Sequence, residues 1–494
     1  MIFWVLLLIV GYLVYYYWNV SKYPKGPTPI PFFGNALQVE PNNLQGVMEK
    51  WRETYGNVYT FWLFNRPIVA LMRLDEIKEA VVTKGDIFAN RTGEFPEDIF
   101  MTTKNGGVIF SSGENWREQR RTALHILRDF GVGKNVMEEQ VHEQLELFVK
   151  NLQNSKEKDR LEFRWPVQVL VSNIINQLLY GFSYPHDDCK KMMDYAETLT
   201  SIFSGMWESV WMLVAQAFPI AKKIPYIGYQ AVGKYIEKFN WCIDFVKMDV
   251  KDALKNYSKE DEPTCFVQAY YQKMDTNPSL TMDQLYNVCS DFFMAGMETT
   301  STTLRWAVLY LAKHQDVQEK LRQEVAQVVG FDRMASLRDK NEMAYTTAFI
   351  AELQRMANIV PINLMRKSTK DVVIDGKYIP AHTNIIPHVY GSNLDSDRFE
   401  SPKEFRPERF LNKNKSLNTD LLSQMIAFGT GKRQCAGESL ARVELFLGVT
   451  TLVQKFKILP PVDKDIDFSP VFGTVLLPKT NYLRIEIVDP VHYL

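Results

Sequence analysis

The sequence predicts a mainly α-helical protein with small antiparallel β-sheets, built as one large domain behind a single N-terminal transmembrane helix. Three observations carry this. No charged side chain occurs from Ile2 to Ser21. Apolar positions recur with helical period through most of residues 114–360. Strand signals are confined to short hairpins before and after that stretch. With 46% hydrophobic and 23% charged residues, the remainder is globular rather than disordered. The formal net charge of −1 gives no global field for nucleic acid. Five cysteines without paired spacing suggest a reducing compartment and no disulfide framework.

The elements follow in order. At 1.5 Å per residue, about 20 apolar residues cross a hydrocarbon core of about 30 Å. Tyr15, Tyr16, Tyr17 and Trp18 stand where an interfacial aromatic belt belongs, with Lys22 and Lys25 just beyond. The segment lacks the basic start and small-residue cleavage site of a signal peptide, so residues 1–21 read as an anchor with the bulk of the chain in the cytoplasm. Residues 22–35 carry four prolines between Pro24 and Pro31 and make a stiff hinge. No repeat or low-complexity break divides 36–494, which reads as one domain. "NVYTFWLF" and "IVALM" flank Asn65-Arg66-Pro67 as a hairpin, "DVVIDGKYIPA" turns at Asp375-Gly376, and "TNYLRIEIV" is a closing strand.

Four stretches carry chemistry. In "FGTGKRQCAG" (428–437) one cysteine sits among three glycines beside Lys432 and Arg433, a setting that lowers a thiol's pKa and admits close approach of the backbone. A phosphate loop is excluded, since Arg433 follows Gly431-Lys432 and Ile426 holds the earlier glycine position. Zinc is excluded because the other four cysteines lie far upstream. A nucleophile, a haem ligand or a buried thiol remains. In "TMDQLYNVCSDFFMAGMETTSTTLRWAVLYLAK" (281–313), Thr281 and Gln284 predict a capping box, and the apolar pattern predicts a helix crossing the whole domain. Its middle holds Ala295, Gly296, Glu298 and Thr299, small residues that let a flat ligand approach and an acid–alcohol pair able to deliver protons, or else a packed core. In "AELQRMANIVP", Glu352 and Arg355 share a helical face, and "FRPERF" offers Arg409 as a second cation for a structural lock. In "ENWREQRRTALHILRDFG", Trp116 and Arg120 share one face, suited to a carboxylate-bearing ligand, while Arg117, Arg121 and Arg128 follow another that faces solvent or an acidic partner.

Together, and in their order along the chain, the four stretches resemble the cytochrome P-450 family of haem-thiolate monooxygenases across nearly the whole chain. "FGTGKRQCAG" matches the family's Phe-x-x-Gly-x-Arg-x-Cys-x-Gly haem loop at every fixed position, Phe428, Gly431, Arg433, Cys435 and Gly437. The resemblance implies haem b with Cys435 as axial thiolate, Glu298 and Thr299 as the catalytic acid–alcohol pair, and haem-propionate contacts from Trp116, Arg120, Arg433 and Arg366. One departure is Met365, standing where animal microsomal members often place His. The microsomal type further implies an endoplasmic reticulum membrane protein that inserts one atom of O₂ into a lipophilic xenobiotic, steroid or fatty acid. No Gly-x-Gly-x-x-Gly fingerprint occurs, so electrons are expected from an NADPH-dependent flavoprotein reductase, with cytochrome b5 a candidate second partner. The rival readings are a haem-thiolate isomerase or dehydratase and a haem-based sensor. Expected pocket walls are Phe292, Phe293, Ile362–Leu364 and Val471–Val475, under an apolar roof at 201–218.

Overall fold

The computed structural model describes residues 2–40, 43–131, 135–186, 188–462, 464–471, 475–480 and 482–493. Met1 of the anchor and residues 472–474 of the expected wall lie outside them. Ile2–Val20 is one exposed apolar helix, about 28 Å long at 1.5 Å per residue. Among the described residues it is the one helix long and apolar enough to cross a membrane. The hinge ends tied to the domain: buried Asn35 donates to the Pro27 and Thr28 carbonyls, and its Oδ1 accepts from Trp62 N at 2.8 Å.

The N-terminal sheet pairs Val58–Leu63 antiparallel with Arg66–Leu71. Its turn is Phe64-Asn65 rather than Asn65-Arg66-Pro67, with Phe64 taking the strained φ of 56°. Pro67 fits inside the strand because it precedes Ile68, where pairing to the next strand begins, so its missing N–H breaks no ladder bond. That next strand, Asn384–Pro387, runs parallel, and Arg366–Lys367 closes the sheet. Asp375-Gly376 makes the expected two-residue turn, both at positive φ (49° and 68°). The closing strand is Tyr482–Ile487.

The helix Met282–Lys313 spans 32 residues, about 48 Å, and is buried along most of its length. Thr281 caps it, its hydroxyl accepting from Gln284 N at 3.2 Å. The other half of the box is absent: the Gln284 side chain turns away and accepts from Gly107 N at 3.1 Å. This helix, with Arg164–Tyr180, Lys234–Leu254, Ala344–Ala357 and Glu438–Lys455, forms the principal core. Gly296 serves that core. A Cβ there would meet Ile175 Cγ1 at 3.1 Å, so the glycine admits a neighbouring helix rather than a flat ligand.

Candidate active site

The cysteine loop is built by glycine. Gly429 and Gly431 lie at φ 67° and 74°, and a Cβ on Gly431 would strike the Val81 carbonyl. Cys435 N donates to the Phe428 carbonyl at 3.0 Å and closes the loop. The helix Glu438–Lys455 starts two residues past Ala436, so the Gly437 and Glu438 amides donate to the Cys435 sulfur. The other four cysteines are buried, whereas Cys435 is accessible. One expectation is corrected. Although its surface is open, Cys435 is hemmed in by protein, and this desolvation, with the Glu438 charge, outweighs the two amides and the Arg120 charge, so the free thiol is pushed up, not down. Lys432 and Arg433 do not help, because Lys432 pairs with Asp86 and Arg433 turns inward to backbone carbonyls. A metal cation at the sulfur reverses that balance.

Around Arg433 of this loop the structure gathers Trp116 and Arg120 of the helix Gly113–Asp129 and Arg366, three segments far apart in sequence, and adds Arg91. Arg433 stacks 3.7 Å over the Trp116 ring. Its donors go to the Ala89 (2.7 Å), Val108, Ile109 and Ser111 (2.5 Å) carbonyls, so it brings charge rather than free hydrogen bonds. Burial and the charges of Arg91, Arg366 and Arg120 push Arg433 down to about 7. Arg366 is pushed down to about 9 by burial, Arg91 and Arg120. Mutually repelling buried cations are costly unless an anion joins them. The donors left for it are explicit: Arg366 Nε and Nη1 and Trp116 Nε1 are buried without a partner. A sulfur ligand beside an anion-binding nest fits haem b, with its iron and two carboxylates. Arg91 gave no sequence signal, being a lone arginine in the loop "ANRTG". Its donors hold the Ile109, Leu364 and Met365 carbonyls.

On the long helix, Ala295 and Thr299 are half-buried amid buried neighbours. Thr299 Oγ1 donates to the Ala295 carbonyl at 2.8 Å. The structure does not bring Glu298 to Thr299. Glu298 is buried, its pKa raised by burial against the Arg305 and Arg164 charges and a Thr302 hydrogen bond. A second buried acid was missed. Glu444, on the helix behind the cysteine loop, is pushed up from 4.5 to about 8 by burial, with Thr300 of the long helix as its hydrogen-bond partner. Between those two pH values the folded protein holds a proton that the unfolded chain releases, so this contribution to stability declines as pH rises. Glu444→Gln removes the decline. Its unfolding free energy should gain on the parent's by at least about 1 kcal/mol between pH 6 and pH 9; parallel pH profiles would refute this.

The lock is a closed network. Glu352 receives Arg355 at 2.7 and 2.8 Å, Arg409 Nε at 2.9 Å and the Arg406 amide at 2.9 Å. The outer arginines are exposed but already engaged. Arg121 pairs with Glu118 at 2.8 Å, Arg117 with Glu114 at 3.1 Å, and Arg128 donates to the Leu124 carbonyl. Their net field is weaker than the sequence suggests. Among the expected walls, Ile362–Leu364 and Phe292 are half-buried. Phe293 is core, packed with Tyr195 and Phe245 at 5.0 and 5.9 Å. The roof exposes Val210, Leu213 and Phe218.

Comparison with known proteins gives a match of residues 24–485 to the family model described as Cytochrome P450. The chain is 35% identical to Cytochrome P450 2H2 of Gallus gallus over 459 residues, 91% of this chain and 90% of that protein. It is 35% identical to Cytochrome P450 2F2 of Mus musculus, over 94% of each chain. It is 36% identical to Cytochrome P450 2C23 of Rattus norvegicus, over 93% of this chain and 92% of that one.

Proposed function

Because this chain belongs to the cytochrome P450 family and is a haem-thiolate monooxygenase, we propose that Cys435 is its axial ligand, that its substrate is a lipophilic small molecule, and that its electrons come from an NADPH-dependent flavoprotein reductase. The observation that supports this most is the accessible Cys435 sulfur, bonded by two amides, beside a nest of arginines whose free donors face no protein acceptor. Haem b, when bound, supplies the oxidising chemistry.

The chain's residues hold and protonate. Gly429 and Gly431 bend the loop so that the sulfur projects from it. The Gly437 and Glu438 amides temper its charge, and the Phe428 carbonyl ties its backbone. Arg366 and Trp116 would donate to the haem carboxylates through their unpartnered N–H groups, while Arg120, Arg433 and Arg91 would set the positive field around them. Thr299 presents a hydroxyl on the half-buried stripe of the long helix. Glu298, the buried acid one residue before it, is the proton source in this reading. The half-buried Phe292, Ile362 and Leu364 favour an apolar substrate. The division into anchor 1–21, hinge 22–35 and catalytic domain 36–494, with that domain on the cytoplasmic side of the endoplasmic reticulum, is part of the same proposal, as is cytochrome b5 as second donor.

The test is substrate-dependent NADPH consumption with the reductase. A monooxygenase shows it; an isomerase, dehydratase or sensor does not. Thr299→Ala should keep haem and substrate binding but lower product per NADPH several-fold, with peroxide rising to match. An unchanged ratio would leave Thr299 a packing residue. Deleting residues 1–21 should make the protein extractable from membranes by alkaline carbonate, although the exposed roof can keep it peripherally bound. Continued resistance would reveal a second membrane segment.

A further inference from the structure

The loop 102–111, between the short helix Glu97–Phe100 and the helix Gly113–Asp129, has no ladder of its own. It is pinned from one side by the long helix. Gln284, Asn287 and Asp291 fall at i, i+3 and i+7, one helical face, and all three are buried. Asn287 Oδ1 accepts from Thr102 N at 3.1 Å, and its Nδ2 donates to Thr102 Oγ1 at 2.6 Å. Gln284 accepts from Gly107 N, and Asp291 Oδ2 accepts from Val108 N at 2.7 Å and Ile109 N at 2.9 Å. The approach is close enough to require glycine. A Cβ on Gly106 would lie 2.8 Å from Asn287 Cγ, and one on Gly107 (φ +77°) would strike Asp291 Oδ2.

The carbonyls of the same segment serve the arginine nest. Val108 O and Ile109 O accept from Arg433 Nη1, Ile109 O from Arg91 Nε at 2.9 Å, and Ser111 O from Arg433 Nη2. The peptides of 108 and 109 are therefore suspended between a buried carboxylate and a buried guanidinium. Burial pushes Asp291 up to about 7, while the Ile109 and Val108 amides and the Arg433 charge favour its ionised form, so loop and nest sustain the carboxylate that Arg433 sees through the loop. Hydrogen bonds polarised in this way strengthen one another.

We propose that Gln284, Asn287 and Asp291 are positioning residues that act through loop 102–111 to hold the arginine nest in its carboxylate-binding form. The proposal rests on the reading of that nest as the haem-propionate site. Asp291→Asn can keep both amide bonds and remove only the charge; Asn287→Ala removes the Thr102 tether.

The full-length haem-loaded protein is mixed with excess apomyoglobin and the rate of haem transfer followed at the Soret band. The Asp291→Asn rate should rise at least tenfold and the Asn287→Ala rate several-fold, with loop 102–111 losing hydrogen-exchange protection. A merely structural loosening would speed the loss of haem and of its dimethyl ester alike; the clamp speeds loss of the carboxylate-bearing haem and leaves the ester little changed. Equal acceleration of both, or wild-type rates in both variants, overturns the proposal. If Asp291→Asn does not accumulate, Thr102→Val serves, since it deletes only the hydroxyl that Asn287 holds; it too should lose haem several-fold faster, and a wild-type rate counts against the clamp. Arg366→Gln separates the two levels. Faster loss in it alone overturns the clamp but spares the nest, whereas a wild-type rate in it as well sinks the nest reading and the clamp with it.

Discussion

Glu352→Ala should abolish accumulation of folded, haem-loaded protein. Glu352 and Arg355 are fully buried and Arg409 nearly so. Removing the carboxylate leaves two guanidiniums in the interior with no counter-charge, a loss of roughly 3–5 kcal/mol. A domain's whole stability is only about 5–15 kcal/mol. The effect is amplified by what the arginines tie together. Arg355 also holds the Asn393 and Pro402 carbonyls at 3.1 and 2.7 Å, and Arg409 the Glu404 carbonyl at 2.8 Å. The lock thereby fastens the helix Ala344–Ala357 to the irregular chain that leads to the cysteine loop. Glu352→Gln keeps the shape and loses the charge, so it should fall between parent and Ala. Haem content per polypeptide and the thermal midpoint measure both; parental values for Glu352→Ala would show that the network is dispensable.

What the sequence discloses and what it hides divide along physical lines. The cysteine loop is legible because its glycines are compelled locally: Gly431 sits at positive φ with a carbonyl against it, and no other residue fits. The long helix is legible because one periodicity runs through 32 residues. The lock is legible as a spacing, Glu352 to Arg355, although its burial is not. Non-local facts stay hidden. The parallel pairing of Val69 with Ile385 joins segments more than 300 residues apart, and nothing in either strand announces it. Arg91 joins the nest from a loop without a motif. Gly296 reads as room for a ligand until Ile175 is seen against it. Lys432 and Arg433 suggest a lowered thiol pKa in the sequence, but Lys432 pairs with Asp86, Arg433 turns to backbone carbonyls, and desolvation, a non-local property, prevails. The outer arginines look like a docking field until Glu114 and Glu118 are found beside them, and exposed pairs of that kind contribute only about 0–1 kcal/mol.

The second large effect is expected at Cys435, the residue on which the functional account turns. A thiolate pushes electron density onto haem iron, and this gives the reduced carbon monoxide complex its red-shifted Soret band. Cys435→His replaces that thiolate by a neutral imidazole on the same loop, leaving the Arg366 and Trp116 donors in place to retain the haem. Monooxygenase turnover should fall to background for want of that push. The decisive measurement is the difference spectrum of the reduced carbon monoxide complex, parent against Cys435→His, at matched haem content. The account predicts the red-shifted band in the parent and its complete loss in the variant; a red-shifted band surviving in Cys435→His would contradict it.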